Sequence, residues 1–336
     1  MRVFTGPGEV PADWEPTVVT LGTFDGVHTG HRQLIRRMRR IAEAESAWSG
    51  HTVRTAAITF DPHPLELHRP EDPPSLITGV YERRRQLAAA QLDTVMLLEY
   101  CWALAELSPE EFIRRYVVEG LNAKVLVIGR DVRFGRGNAG DLRTLEGLGR
   151  KYGFDVVACD DWCAEESGPA AEGDASERPT AHEQRRLSST WVREALRDGR
   201  VDDAARILGR AHSVLGHFCG AAPADGGLPS APSQLSVLEG MLPGPGMYSC
   251  WISRPGSAPA TGIALVMPSR DADGTLTVRP AGLQWEPEGV SLEAASAVRV
   301  EFAERLIPVG HGAGEGLGMA CLTSVSLLEA HEQLVA

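Results

Sequence analysis

Residues 18–31 read VVTLGTFDGVHTGH, and the fold follows from how this stretch begins and ends. Its front half belongs to 17–22 (TVVTLG), a near-continuously apolar run of the kind buried on both faces of a sheet. A glycine-containing turn comes next. Beyond it Leu34, Ile35, Met38, Ile41 and Ala42 recur at i, i+1, i+4, i+7 and i+8, one apolar stripe of a helix. His28 and His31 fall where that helix starts. Three residues apart in a first helical turn, the two imidazoles share a face beside unpaired backbone N–H groups and the positive dipole end. A phosphate chain wants such a place, with several donors and little steric bulk. Gly26 and Gly30 let the backbone come close. Two isolated histidines would read as surface residues; the strand–turn–helix context makes these two candidates for phosphate binding.

Outward from this motif the same alternation continues. Residues 53–60 (VRTAAITF), 94–98 (TVMLL), 124–129 (KVLVIG) and 154–158 (FDVVA) are further strand candidates. Between them, Ser108-Pro109-Glu110-Glu111 reads as an N-cap, a proline at the first helical position and acids in the first turn. Strands alternating with helices predict a Rossmann-like α/β domain with a parallel sheet, whose ligands lie beyond the carboxyl ends of the strands. Residues from about 164 to 186 lack apolar periodicity and read as a mobile insertion. Helical pattern resumes at 190–198 and 201–208. After about 211, short apolar runs (246–252, 261–267, 297–302) are split by Gly/Pro clusters, which predicts a small antiparallel β-barrel domain, closed by a helix over about 322–335. The expected division is therefore 1–210 and 211–336.

Composition excludes several classes. The 336 residues carry a net charge of −12, and Lys124 and Lys151 are the only lysines. An acidic chain repels polyanions, so nucleic-acid binding is not expected, while a local pocket for a small phosphate ligand is compatible. No apolar run approaches a membrane span and the first residues do not open a signal peptide, so the expected location is cytoplasmic. The six cysteines form no Cys-x-x-Cys pair and read as scattered reduced thiols.

The motif GTFDGVHTGH resembles the signature of bacterial FAD synthetases, bifunctional riboflavin kinase/FMN adenylyltransferases of the His-x-Gly-His nucleotidyltransferase superfamily. Four further stretches are similar to family blocks and come in the family's order: TFDPHP (59–64), SPEEF (108–112), VIGRDVRFGRGNAGD (127–141, with Val132 where phenylalanine is usual) and LSSTWVREAL (187–196). The resemblance implies adenylyl transfer from ATP to FMN, with Mg²⁺ accompanying the ATP and no protein ligand for it identified. It assigns His28, His31 and Arg193 to catalysis. Gly22, Phe24, Gly26, Arg186, Ser189 and Thr190 join those three in binding ATP, and Phe60, Asp131 and Phe134 contact the flavin. Independently of the resemblance, two hydroxyls and a guanidinium at a helix start make a good oxyanion receptor. His63, inside PHP, reads equally well as structural.

The second domain departs from the pattern. HSVLGH (212–217) resembles the family's entry to the kinase barrel, but 226–235 reads GGLPSAPSQL where the kinase's Thr and Asn should stand, and 276–285 reads LTVRPAGLQW where its glutamate base belongs. The expectation is a degenerate kinase module without riboflavin kinase activity. Two other readings stay open: the same chemistry on a different phosphorylated acceptor or NTP, and a non-catalytic flavin- or nucleotide-binding protein. The sequence leaves the oligomeric state unknown.

Overall fold

A computed structural model describes residues 1–160, 185–218, 233–254, 258–267, 275–280 and 297–308. Most of the expected insertion, most of the altered kinase signature and the expected last helix lie outside them. Two compact units divide the chain: Met1–Ser75 with Gly79–Ser189, and Leu76–Thr78 with Thr190–Ala336.

The first unit is a six-stranded, wholly parallel sheet. Its strands are β1 (Arg2–Phe4), β2 (Thr17–Leu21), β3 (Arg54–Asp61), β4 (Thr94–Glu99), β5 (Ala123–Gly129) and β6 (Asp155–Cys159), in the order β1-β4-β3-β2-β5-β6. The helices are α1 (Thr29–Ser49), α2 (Pro64–His68), α3 (Val80–Ala89), α4 (Trp102–Ala105), α5 (Pro109–Phe112) and α6 (Leu142–Tyr152). The five strand candidates match β2 to β6 to within a residue at each end. The edge strand β1 was not anticipated, since three residues are too short to show a period.

Because both faces are covered, alternate residues of one strand feed two cores. Val18, Ala57, Val95, Val125 and Val127 pack with Leu34, Ile35 and Met38 of α1. Val19, Ile58, Met96, Leu126 and Ile128 pack on the other face with Phe112, Tyr116 and Leu145. Burying Ile35 and Met38 completely stabilises the α1 contact by about 1.5–3 kcal/mol each. The expected start at Ser108 is a full capping box. Its hydroxyl accepts from Glu111 N at 3.2 Å, while Ser108 N donates to the Glu111 carboxylate at 3.0 Å. A π-helical turn over Ile113–Val118 then continues α5.

The second unit holds α7 (Ser189–Arg197) from its second residue onward, α8 (Val201–Leu208) and a closed antiparallel barrel. Its strands are β7 (His212–Phe218), β8 (Ser233–Glu239), β9 (Gly246–Ser253), β10 (Ala260–Met267), β11 (Thr275–Pro280) and β12 (Ala297–Pro308), in the order β10-β11-β8-β7-β12-β9. The sequence groups α7 and α8 with the first unit, whereas here they are contiguous with the barrel. The Gly244 N–H donates to the Leu196 carbonyl at 2.7 Å, and Arg305 donates to the carbonyls of Asp198 (2.8 Å) and Pro245 (2.6 Å). Helix α8 packs against β7 and β12.

Candidate active site

Strand order locates the site before any side chain is considered. From β2 the chain moves outward to β3 and β4, then crosses to β5 on the other side of β2. The β2/β5 boundary is thus the topological switch point, where the connecting loops part and leave a crevice at the carboxyl edge. A cleft of about 270 Å³ lies there, lined by Leu21, Gly22 and Phe24 after β2, by His28, Gly30, His31 and Leu34, by Gly129 and Asp131 after β5, by Asp160 after β6, and by Arg186, Leu187, Ser188 and Ser189.

The turn between β2 and α1 is tightly wound. Phe24 (φ 51°), Gly26 (φ 82°) and Val27 (φ 41°) all have left-handed backbone. For the non-glycine residues such a conformation costs on the order of 1–3 kcal/mol, sustained by the surroundings. Phe24 and Val27 are fully buried anchors that hold it. The outcome is that His28 becomes the N-cap residue of α1, with extended backbone, and His31 follows inside the first turn. Their rings stack with centroids 3.7 Å apart and planes 23° from parallel, and Phe24 packs on His31 at 5.0 Å. Gly30 makes this possible, because a Cβ there would sit 3.1 Å from two atoms of the His28 ring. Burial, with the Arg186 charge adding to it, pushes the His31 imidazole down to about 3, so it is neutral at physiological pH. The first-turn N–H groups and the dipole end add positive character to this wall.

The opposite wall carries formal charge. Arg186 forms an ion pair with Asp131 at 2.7 Å, and the guanidinium holds that carboxyl below its usual range. Arg130 pairs with Asp160. Ser189 Oγ donates to the Asp25 carbonyl at 2.8 Å, tying the start of α7 to the turn after β2.

Of the residues singled out from sequence, Gly22, Phe24, His28, His31, Asp131, Arg186 and Ser189 all line this cleft, and Gly26 shapes the turn beneath it. Phe60 and Phe134 do not line it. Both are core residues on the other face of the sheet, each packed on Phe112 at 6.5 and 6.4 Å. Thr190, exposed, and Arg193, half-buried, stand one turn apart on α7. His63 is structural: its Nδ1 accepts from Leu65 N at 3.1 Å and caps α2. Sequence reading included Gly129 and Leu187 in motif blocks without giving them a role, and missed Asp160. For Asp160 and Gly129 the available signal was their position at the carboxyl ends of β6 and β5. No group of three or more potential metal ligands gathers among the described residues. No helix among them is long and apolar enough to cross a membrane.

The FAD synthetase family profile matches residues 10–168. The bifunctional riboflavin kinase/FMN adenylyltransferase of Escherichia coli K12 is 29% identical over 253 residues, spanning 75% of this chain and 73% of that protein. The proteins of the same description from Bacillus subtilis and Pseudomonas fluorescens are 30% and 32% identical, over 60% and 64% of this chain and 55% and 61% of theirs. Among solved structures, one described as a macrolide-efflux protein from Streptococcus pneumoniae superposes with a TM-score of 0.72 at 21% identity. It covers 99% of this chain and 97% of that one, a likeness of fold alone.

Proposed function

The chain belongs to the FAD synthetase family, a family of nucleotidyltransferases, and from that premise we propose that it transfers the adenylyl group of ATP to FMN, releasing FAD and pyrophosphate, and that it lacks riboflavin kinase activity. A phosphate oxygen of FMN attacks the α-phosphorus, and the bond to the bridging oxygen breaks with its electron pair leaving on pyrophosphate. Such a reaction asks the protein for position and charge stabilisation more than for covalent chemistry.

The observation that carries the reading is the stacked His28–His31 pair on the first turn of α1 inside the cleft. A neutral imidazole costs less to bury than a cation and still offers a ring N–H to a phosphate oxygen. In this reading His28 and His31 act on the ATP phosphates with the α1 N–H groups, and Arg186, Ser189, Thr190 and Arg193 complete the clamp. Gly22, Phe24 and Gly26 shape the ATP wall. Asp131 meets the flavin nucleotide, and the ring system packs towards Phe60 and Phe134. Those two lie on the sheet face opposite the histidines, which supports an acceptor approaching across the carboxyl edge.

Asp131 and Asp160, the cleft's carboxylates, are both engaged by guanidinium groups. No group of three or more potential metal ligands gathers among the described residues, and in this reading Mg²⁺ arrives with the substrate as Mg·ATP, held largely by phosphates and water. We place the reaction in the cytoplasm, with no nucleic-acid or membrane partner. The test is purified protein with Mg·ATP and FMN, followed by chromatography, then with other NTPs and other phosphorylated acceptors. FAD formation supports the proposal. Pyrophosphate release only with another acceptor, or binding without turnover, would replace it.

A further inference from the structure

The buried face of α3 is unusual. Where an amphipathic helix presents aliphatic residues to a core, α3 buries Glu82, Arg83 and Gln86 alongside Leu87, and Arg83 is only 2% exposed. Aliphatic residues of similar volume would pack there at no net loss of stability, because desolvating such groups is costly. Directional bonds are what they offer instead, and those bonds converge on one segment.

Arg83 Nη1 donates to the Thr23 carbonyl at 3.0 Å, and Thr59 Oγ1 donates to that same oxygen at 3.0 Å. Thr23 is the residue immediately before the left-handed turn through Phe24, Gly26 and Val27. At the far end of the segment, Arg32 in the opening turns of α1 donates to Gln86 Oε1 at 2.7 Å. Gln86 Nε2 donates in turn to Glu82 at 2.6 Å, and Arg85 holds that carboxylate through two bonds of 2.8 and 2.9 Å. One short helix thus grips residues 23–32 at both ends. Between those grips lie His28 and His31.

We propose that Arg83, backed by Thr59 on the same carbonyl and by Gln86 at the other end, is a positioning residue that fixes the β2–α1 turn so that His28, His31 and the α1 N–H groups face the triphosphate. The proposal rests on the adenylyl-transfer reading for its kinetic consequence, though not for its structural one. A turn whose backbone is left-handed at three positions relaxes when its anchor is removed, and a shift of about 1 Å in a reacting group costs on the order of 10²-fold in rate.

The experiment uses the full chain with Arg83→Met, Arg83→Lys, Thr59→Val and Gln86→Leu. Two quantities are read: kcat and KM with Mg·ATP and FMN, and amide hydrogen exchange by mass spectrometry. Arg83→Met should lower kcat by roughly 10²-fold with KM for FMN little changed, and Arg83→Lys should recover most of that loss. Exchange should accelerate in peptides covering 22–32 and stay at wild-type rates in β4 and β6. Wild-type kcat in a folded Arg83→Met protein overturns the proposal, as does faster exchange spread evenly over the sheet. Should Arg83→Met not fold, Thr59→Val and Gln86→Leu decide: a smaller kcat loss with the same local exchange supports it, and wild-type values for both overturn it. If the wild-type protein makes no FAD, adenylyl transfer fails as a function, and the exchange pattern alone decides whether α3 holds the turn.

Discussion

The ring planes of His28 and His31 lie 23° apart with centroids separated by 3.7 Å, a stack that exists because one histidine stands at the N-cap position of α1 and the other in its first turn. Gly30 is the residue that leaves room for it. Its absent Cβ would stand 3.1 Å from His28 Cε1 and Nδ1. Gly30→Ala should therefore move activity and stability in opposite directions. Alanine is favoured over glycine in a helix by about 1 kcal/mol, so thermal stability should hold or rise. The displaced His28 ring should lower kcat/KM at least about tenfold. Loss of both together would mean that Gly30 serves packing rather than the stack.

Titration of His31 gives a second expectation. Burial depresses its pKa to about 3, below the unfolded value of about 6.5. As pH falls from about 6.5 towards 3 the unfolded chain takes up a proton that the folded chain refuses, so stability is fully present above that window and declines within it. The ceiling is about 1.4 kcal/mol per pH unit for one proton. His31→Gln should gain on the wild type in urea denaturation near pH 5 compared with near pH 7. An identical difference at both pH values would show that the folded imidazole titrates normally.

In the second unit, Arg305 bridges the end of α7 to the barrel through the carbonyls of Asp198 and Pro245. One of these bonds is exposed and the other part-buried, and a hydrogen bond of this kind contributes a net of about 0.5–1.5 kcal/mol. Arg305→Ala should lower the melting temperature, with the earliest loss of exchange protection in α7 and β12. An unchanged melting temperature would show that neither bond stabilises the unit.

The altered kinase signature predicts that purified protein with Mg·ATP and riboflavin forms no FMN. Chromatography with fluorescence detection reads this directly. Steady FMN production would mean that other groups of the barrel replace the missing Thr, Asn and glutamate.

Much of this was legible in residues 18–42. The apolar run, the glycines and the i, i+4, i+7 stripe specify β2, the turn and α1 because burial on both sheet faces and on one helix face leaves that pattern. Other elements left no such trace. β1 is three residues long, and the π-helical turn after α5 is a rare form with no sequence period of its own to announce it. The pairing of Asp131 with Arg186, and the convergence of Arg83 and Thr59 on one carbonyl, join residues far apart in the chain, so no local spacing announces them. Phe60 and Phe134 illustrate the reverse case: their motifs were visible, but only the sheet shows them on the face away from the histidines.

The central claim is adenylyl transfer through this phosphate clamp. Its most direct test is the rate of FAD formation from Mg·ATP and FMN by the wild-type chain beside His28→Ala and Arg193→Ala. The expected result is FAD from the wild type and a fall in kcat/KM of at least about 10²-fold in each variant, the scale of a lost oxyanion donor. A wild-type chain that makes no FAD, or variants that keep its rate, would contradict the account.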